Sequence, residues 1–315
     1  MNNIAAILRI GPDHRTGARH LSFLVLIAII ALVAFSSNLF LSPANLANLS
    51  SQIAPLLIAA VGQTLVILTG GLDISIGAVI GLVTGLIVLD APQWQVVLLA
   101  IGASATIGLI NGIGIAFLRV HPIIMTLSSM SFVQGLALLV RPVPGGTVPN
   151  WITASITGDI HGIPYSFLWI VGFSAIGGWL LYRTRLGLYF FALGGNASHA
   201  GLNGVRTRES TVAAYVLSSL FAAAAGFFLA GRIASGDANV GASYGLDTIT
   251  AVALGGTQLS GGIGSLSGTI IGTVIVGVIG NGMNLTDVSA FLQTVIKGAL
   301  LLAVVCVQRR KEIGL

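Results

Sequence analysis

The sequence predicts an all-α, polytopic membrane protein with about ten transmembrane helices and both termini in the cytoplasm. Three observations predict it. Hydrophobic residues make up 55% of the 315 residues and charged residues only 7%, whereas a soluble domain carries about 25% charge. Apolar runs long enough for a helix to cross ~30 Å of hydrocarbon recur along the whole chain. The few Lys and Arg residues cluster in segments that fall on one side when the runs alternate, as basic loops do on the cytoplasmic face. A soluble domain of any size is excluded.

The elements follow in order. Residues 1–20 form a polar, basic N-terminal tail without the apolar core and small-residue cleavage site of a secretory signal. The transmembrane domain occupies 21–308, with spans expected at 21–41, 52–69, 74–90, 94–118, 123–141, 165–182, 211–231, 246–258, 264–283 and 290–308. The eighth, "GLDTITAVALGGTQ", is short and ends in Gly-Gly, so a broken or partial span is expected there. Residues 309–315 form a cytoplasmic tail. With the N-terminus inside, Arg9, Arg15, Arg19, Arg119, Arg183, Arg185, Arg206, Arg208, Arg309, Arg310 and Lys311 are cytoplasmic, 11 of 14 basic residues. The reverse orientation inverts that ratio.

The longest internal cytoplasmic loop, 183–210, holds four arginines around a core of small residues. The arginines alone would anchor the flanking spans. The length is the unusual feature, since long loops in compact proteins are functional or disordered. An apolar stretch at 186–193 and a short helix from Asn196 to Leu202, capped by Asn196, are expected. A surface for docking a cytoplasmic partner is preferred to a mere linker.

Glycine is abundant, at 42 residues. Gly77, Gly81 and Gly85 recur at i, i+4, i+8 in the third span, and Gly264, Gly268 and Gly272 in the ninth. Small residues at that spacing let helices approach closely, so all six are expected to be packing positions. Upstream of each row lies G-G-x-x-x-S-x-G, "GGLDISIG" at 70–77 and "GGTQLSGG" at 255–262. The two units share a direction and suggest a parallel internal repeat.

Ionisable residues within spans are scarce. Lys297 is expected to snorkel outward or to pair with Asp247 or Asp287. Asp73 is read as a carboxylate at a cytoplasmic turn, capping the third span. Among uncharged polar residues Gln52, Gln63, Thr64, Asn111, Gln134, Asn281 and Gln293, the candidates for a path taken by a hydroxylated solute are Gln63, Asn111, Gln134, Asn281 and Gln293. Hydrogen-bonded glue between helices is the competing reading for each.

Several chemistries are excluded. There is no G-x-x-x-x-G-K-[ST] loop, so the chain does not itself bind ATP by that device. "GASYG" at 241–245 matches G-x-S-x-G but has no histidine base within a span. The five histidines are scattered and Cys306 is the single cysteine, which disfavours a metal site. No catalytic residue and no metal ligand is assigned. Every Asp and Glu is read as lying at or near a membrane boundary, which argues against an ion-coupled carrier. The pI near 9.9 reflects orientation-setting basic residues rather than nucleic-acid binding.

Five stretches carry a resemblance: "VGQTLVILTGGLDISIGAVIGL" at 61–82, "NGIGIAFLRVHPIIMTLSSM" at 111–130, "RTRLGLYFFALGGNASHAGLNGV" at 183–205, "LDTITAVALGGTQLSGGIGSLSGTIIG" at 246–272 and "QTVIKG" at 293–298. In these the chain resembles the permease subunits of bacterial ABC sugar importers of the ribose, xylose and autoinducer-2 type, the second carbohydrate-uptake class. The resemblance implies a multi-pass permease of the bacterial inner membrane that moves a small sugar or polyol inward by alternating access. It implies a second permease copy or a sister permease, a periplasmic sugar-binding protein, and a cytoplasmic ATP-binding subunit that holds the ATP. It implies that Leu193, Gly194, Gly195, Asn196, Ala197, His199, Ala200 and Gly201 couple to that subunit. The chain departs from the family where acidic residues often stand, at Ala197, Ser198 and His199, and at Asn203, where Ser is frequent. The alternative reading is a secondary, ion-coupled small-solute transporter.

Overall fold

The structure, a computed structural model, describes residues 12–307. Arg9 and the basic tail Arg309, Arg310 and Lys311, which enter the expectation for the termini, lie outside those residues. Each of the ten expected spans holds a helix: α1 (Pro12–Ser36), α2 (Pro43–Leu68), α3 (Ile76–Ile87), α4 (Gln93–Ala116), α5 (Pro122–Val140), α7 (Tyr165–Arg183), α10 (Thr207–Ile233), α11 (Tyr244–Leu254), α12 (Leu266–Leu285) and α13 (Ala290–Val307). Three short helices add to these: α6 (Asn150–Thr157), α8 (Arg185–Gly195) and α9 (Ala197–Leu202). The described strands are a two-residue hairpin, β1 (Asp159–Ile160) and β2 (Ile163–Pro164). Six helices, α2, α4, α5, α7, α10 and α12, are long and apolar enough to cross a membrane.

The bundle is built around α2 and α10. Ser42 caps α2 by accepting the Asn45 amide at 3.2 Å, and Pro43 occupies the first turn, where its missing N–H costs nothing. From Ile53 to Leu68 every residue of α2 is buried. A helix apolar all round belongs inside a bundle. α10 packs on α2, α3 and α4 and buries Tyr215 and Phe228 completely. Trp169 of α7 stacks on Phe173 and meets Phe228 edge-on, closing one side. The outer helices instead expose large apolar side chains, among them Phe35, Leu98, Phe132, Leu168 and Phe291. Apolar surface on this scale suits hydrocarbon rather than water. The protein is a helical, polytopic membrane protein.

Two of the ten helices are half-length. α11 has eleven residues, as the Gly-Gly ending of its segment suggested. α3 has twelve, about 18 Å of helix, and this corrects the continuous third span expected at 74–90. Residues 70–75 before it are not helical, yet Gly71, Asp73 and Ser75 are buried. Residues 234–243 before α11 are likewise irregular and run antiparallel beside α3. Gly236 lies against Thr84 and Val88, Ala238 against Gly81, and Gly241 against Gly77. The two helix starts therefore meet, with Gly245 against the Ile74 carbonyl.

The glycine rows need one further correction. α12 starts at Leu266, so Gly264 is not helical; it lies against the side chain of Thr257. Gly268 and Gly272 do pack closely, on the backbone of Gly255 and Ala251 in and after α11. Gly77 and Gly81 pack on irregular backbone instead, and Gly85 meets the Arg141 side chain more loosely, at 3.2 Å. The two G-G-x-x-x-S-x-G motifs both form turns after a helix, with Gly70, Gly256, Gly261 and Gly262 at positive φ, and Gly261 touches Gly70. α6 and the hairpin lie between the expected fifth and sixth spans, where no element was expected. α6 buries Ile152 and Ile156 against Gly231 near the end of α10.

Candidate functional site

The breaks before α3 and α11 leave backbone groups without helical partners inside the bundle, where each must be satisfied by protein. The Leu72 carbonyl accepts the hydroxyls of Thr126 at 3.2 Å and Tyr215 at 3.4 Å, from α5 and α10. Thr84 bridges to residue 237, donating its hydroxyl to the Asp237 carbonyl at 2.8 Å and accepting the Asp237 amide at 3.2 Å. Gln134 donates to the Ala238 carbonyl at 3.2 Å and to Asn239 Oδ1 at 3.0 Å. Side chains of two intact helices, α5 and α10, and of α3 thus replace the missing ladder.

Asp73 is the centre of this arrangement. The turn that carries it is folded into the bundle, so its carboxylate is fully buried. Its Oδ1 accepts the Ser75 amide at 3.0 Å and the Ser75 hydroxyl at 2.5 Å. Its Oδ2 accepts the Ser218 hydroxyl of α10 at 2.9 Å. Asn111 of α4 donates Nδ2 to Ser75 Oγ at 3.0 Å, and its Oδ1 is buried without a partner. The capping role survives in altered form: Asp73 turns the chain into α3 through the Ser75 amide and ties that start to α10 and, by way of Ser75, to α4.

Asp247, in the first turn of α11, is the second buried carboxylate. Lys297 Nζ of α13 lies 2.8 Å from its Oδ2, one of the two pairings expected. The lysine keeps 29% of its side chain exposed and the aspartate 11%. α13 packs chiefly on α11, so this ion pair sits on the contact that holds α13.

The five path candidates do not converge on one site. Asn281 and Asn45 exchange two amide hydrogen bonds of 3.0 Å each, which join α12 to α2. Gln293 donates to Asn284 Oδ1 at 2.8 Å and to the Val288 carbonyl at 2.9 Å, closing the connection before α13. Gln134 braces the irregular strand. Asn111 belongs to the Asp73 cluster. Gln63 is fully buried on α2 and neither end of its amide has a partner. Gln63 shares a helix face with Leu56, Ala60 and Ile67, which cluster with Ala251 and Val252 of α11.

The loop between α7 and α10 is helical almost throughout. Thr184 caps α8 on the Gly187 amide, and Asn196 caps α9 on the His199 amide at 3.0 Å, as expected for the short helix. The eight coupling candidates divide. Leu193 and Ala200 are buried, and Gly194 lies against the Leu68 carbonyl and the Gly262 amide. Gly195, Asn196, Ala197, His199 and Gly201 are exposed. Gly194 therefore serves contact within the chain. Leu202, 85% exposed at the end of α9, was passed over in a reading built on small residues. A lone large apolar side chain next to "HAG" was the available signal. Arg208 lies over the Phe117 ring at 5.5 Å, an anchoring contact.

A bundle of apolar helices around two half-helices, with buried polar groups holding the breaks, defines a membrane transport protein rather than an inert anchor. The family described as "Branched-chain amino acid transport system / permease component" matches residues 45–305. The chain belongs to that family of transport permeases. It is similar to the ribose import permease protein RbsC of Bacillus subtilis, at 38% identity over 92% of each chain. The RbsC of Escherichia coli K12 is 35% identical over 92% of this chain and 94% of its own. The galactose/methyl galactoside import permease protein MglC of that strain is 32% identical, covering 92% and 93%. The resemblance drawn from the sequence is thereby upheld. No solved structure gives a significant match.

Proposed function

We propose that the chain is the membrane-spanning permease subunit of an ATP-driven importer for a small sugar, in the bacterial inner membrane. The observation that carries this reading is the end-to-end similarity to ribose and galactose import permeases over 92% of the chain. The ten helix-bearing segments would cross the bilayer with both termini inside, α3 and α11 each completing a crossing with the irregular strand before it. A cytoplasmic ATPase would supply the energy and a periplasmic sugar-binding protein would deliver the solute. A second permease copy or a sister chain would complete the unit. ATP and the binding protein shift the helices because they bind the inward- and outward-open states differently. The exposed surface of α8 and α9, Gly195 to His199 with Gly201 and Leu202, is the docking face for the ATPase.

A cysteine at Ala197 in a chain lacking Cys306 should crosslink to the ATPase subunit, which is to be sought among the proteins encoded beside this chain. Gly195→Trp should leave a folded permease that no longer stimulates ATP hydrolysis, since Gly195 is exposed and a Cβ there meets nothing within 4 Å. Full stimulation by that variant, with no crosslink formed, would return the loop to a basic anchor.

A further inference from the structure

Three segments meet at the end of the bundle that carries α8 and α9. The first is the end of α8. The second is the turn after α2, which leads through Asp73 into α3. The third is the turn between α11 and α12. Their meeting point is made of glycine backbone. A Cβ at Gly194 would run into the Leu68 carbonyl and the Gly262 amide. One at Gly261 would lie 2.7 Å from the Gly70 nitrogen and 2.9 Å from the Gly194 Cα. One at Gly262 would lie 2.6 Å from the Gly195 nitrogen. The Gly262 amide donates to the Leu68 carbonyl at 3.0 Å, joining the turn after α11 directly to the end of α2. Gly70, Gly261 and Gly262 also hold positive φ, at 85°, 86° and 76°, where a side chain is strained whatever the space.

We propose that Gly194, seated on Gly261, Gly262 and the Leu68 carbonyl, is the positioning residue through which the α8–α9 loop moves the broken helices. This rests on the coupling reading above and names the part of the chain that receives the motion. Backbone packed on backbone has no rotamers to absorb a displacement, so a push on α8 reaches both turns undiminished. From Gly70 the chain runs to Asp73, whose carboxylate fixes the start of α3 against α10. From Gly262 it runs back to the end of α11. The two elements reached from this one point are the two half-helices whose starts meet in the bundle. A half-helix whose start is held by side chains can tilt without breaking a continuous hydrogen-bond ladder, which intact α2 or α10 could not do.

Two glycines supply the test. Gly194→Ala and Gly102→Ala each add one methyl to a helix, but only the first meets backbone. Both are placed in liposomes with the ATPase and binding protein, and D-ribose uptake is measured per ATP hydrolysed. Gly102→Ala, outside the docking face, should keep the wild-type ratio. Gly194→Ala should still hydrolyse ATP while the ratio falls on the order of tenfold or more, the scale of loss that a displacement near 1 Å produces. An unchanged ratio in Gly194→Ala, or an equal fall in both, overturns the proposal.

A second measurement covers a Gly194→Ala chain that does not fold. Spin labels on Leu188→Cys, exposed on α8 before the docking segment, and Ser260→Cys, in an otherwise native chain lacking Cys306, should keep a constant separation on ATP binding. The separation of Leu188→Cys from Ser128→Cys on α5 should change. If the 188–260 distance changes as much as the 188–128 distance, or if neither changes while the ATPase is bound, the junction does not carry the motion as a unit and the proposal fails. If the ATPase does not bind, the coupling reading itself fails and takes this proposal with it.

Discussion

Asp73 receives three hydrogen bonds inside an apolar bundle, and those donors decide what a substitution does. Asp73→Asn keeps the shape but turns an amide N–H₂ toward groups that donate. Leaving a buried donor unmatched costs about 1–3 kcal/mol, so thermal unfolding in detergent should move clearly downward. A variant as stable as the parent would remove Asp73 from its place as the staple of α3. The Lys297–Asp247 pair makes a different forecast. Removing one charge leaves the other unpaired in a poorly solvated place, whereas removing both does not. Lys297→Met should therefore yield less folded protein than Lys297→Met with Asp247→Asn, measured by size-exclusion yield. Equal yields would make the pair incidental. The lysine was legible from the sequence because a cation within an apolar run must reach an anion or the surface, but Asp247 and Asp287 both stood open as its partner. The depth of Asp73 was not legible, because "LTGGLDISIG" looks like any glycine turn between two spans, and burial of a turn depends on residues 145 positions away.

Among elements, the long helices were legible and the broken one was not. Length and apolarity mark the six helices long enough to cross a membrane, and Gly-Gly after "ITAVAL" signalled that α11 is short. α3 hid its break because "ISIGAVIGLV" is unbroken and apolar up to its start, while the irregular strand it packs on lies more than 150 residues later. α6 was missed because eight residues with two buried isoleucines are too few for periodicity to register. The glycine rows carry the element-scale prediction. Gly81→Leu would drive a side chain into the Ala238 backbone, and Gly268→Leu into Gly255. Both should lose most folded protein. Gly102, with nothing within 4 Å of a Cβ, is the control. Its replacement by Ala should be neutral or slightly stabilising, since Gly costs a helix about 1 kcal/mol relative to Ala. Normal purification and transport by Gly81→Leu would end the close-packing account of α3.

At the scale of the whole molecule, the path candidates show where sequence reasoning stops. Polar residues in apolar helices look alike whether they line a route or join two helices, and only partners tell them apart. Asn281 with Asn45 is a joint, while Gln63 and Asn111 keep unpaired buried amide atoms. Orientation was argued from charge and is checked by labelling: in a chain lacking Cys306, Ser198→Cys should react with an impermeant thiol reagent in inverted vesicles and not in spheroplasts. The reverse pattern would invert the topology and remove α8 and α9 from the cytoplasm. The source of energy is the point to measure. The measurement is uptake of labelled ribose and galactose into vesicles containing the chain with its ATPase and binding protein. Uptake that needs ATP hydrolysis and persists when ionophores collapse the ion gradients is the result predicted. Uptake driven by an imposed ion gradient through this chain alone, without ATP, would contradict the account at its centre.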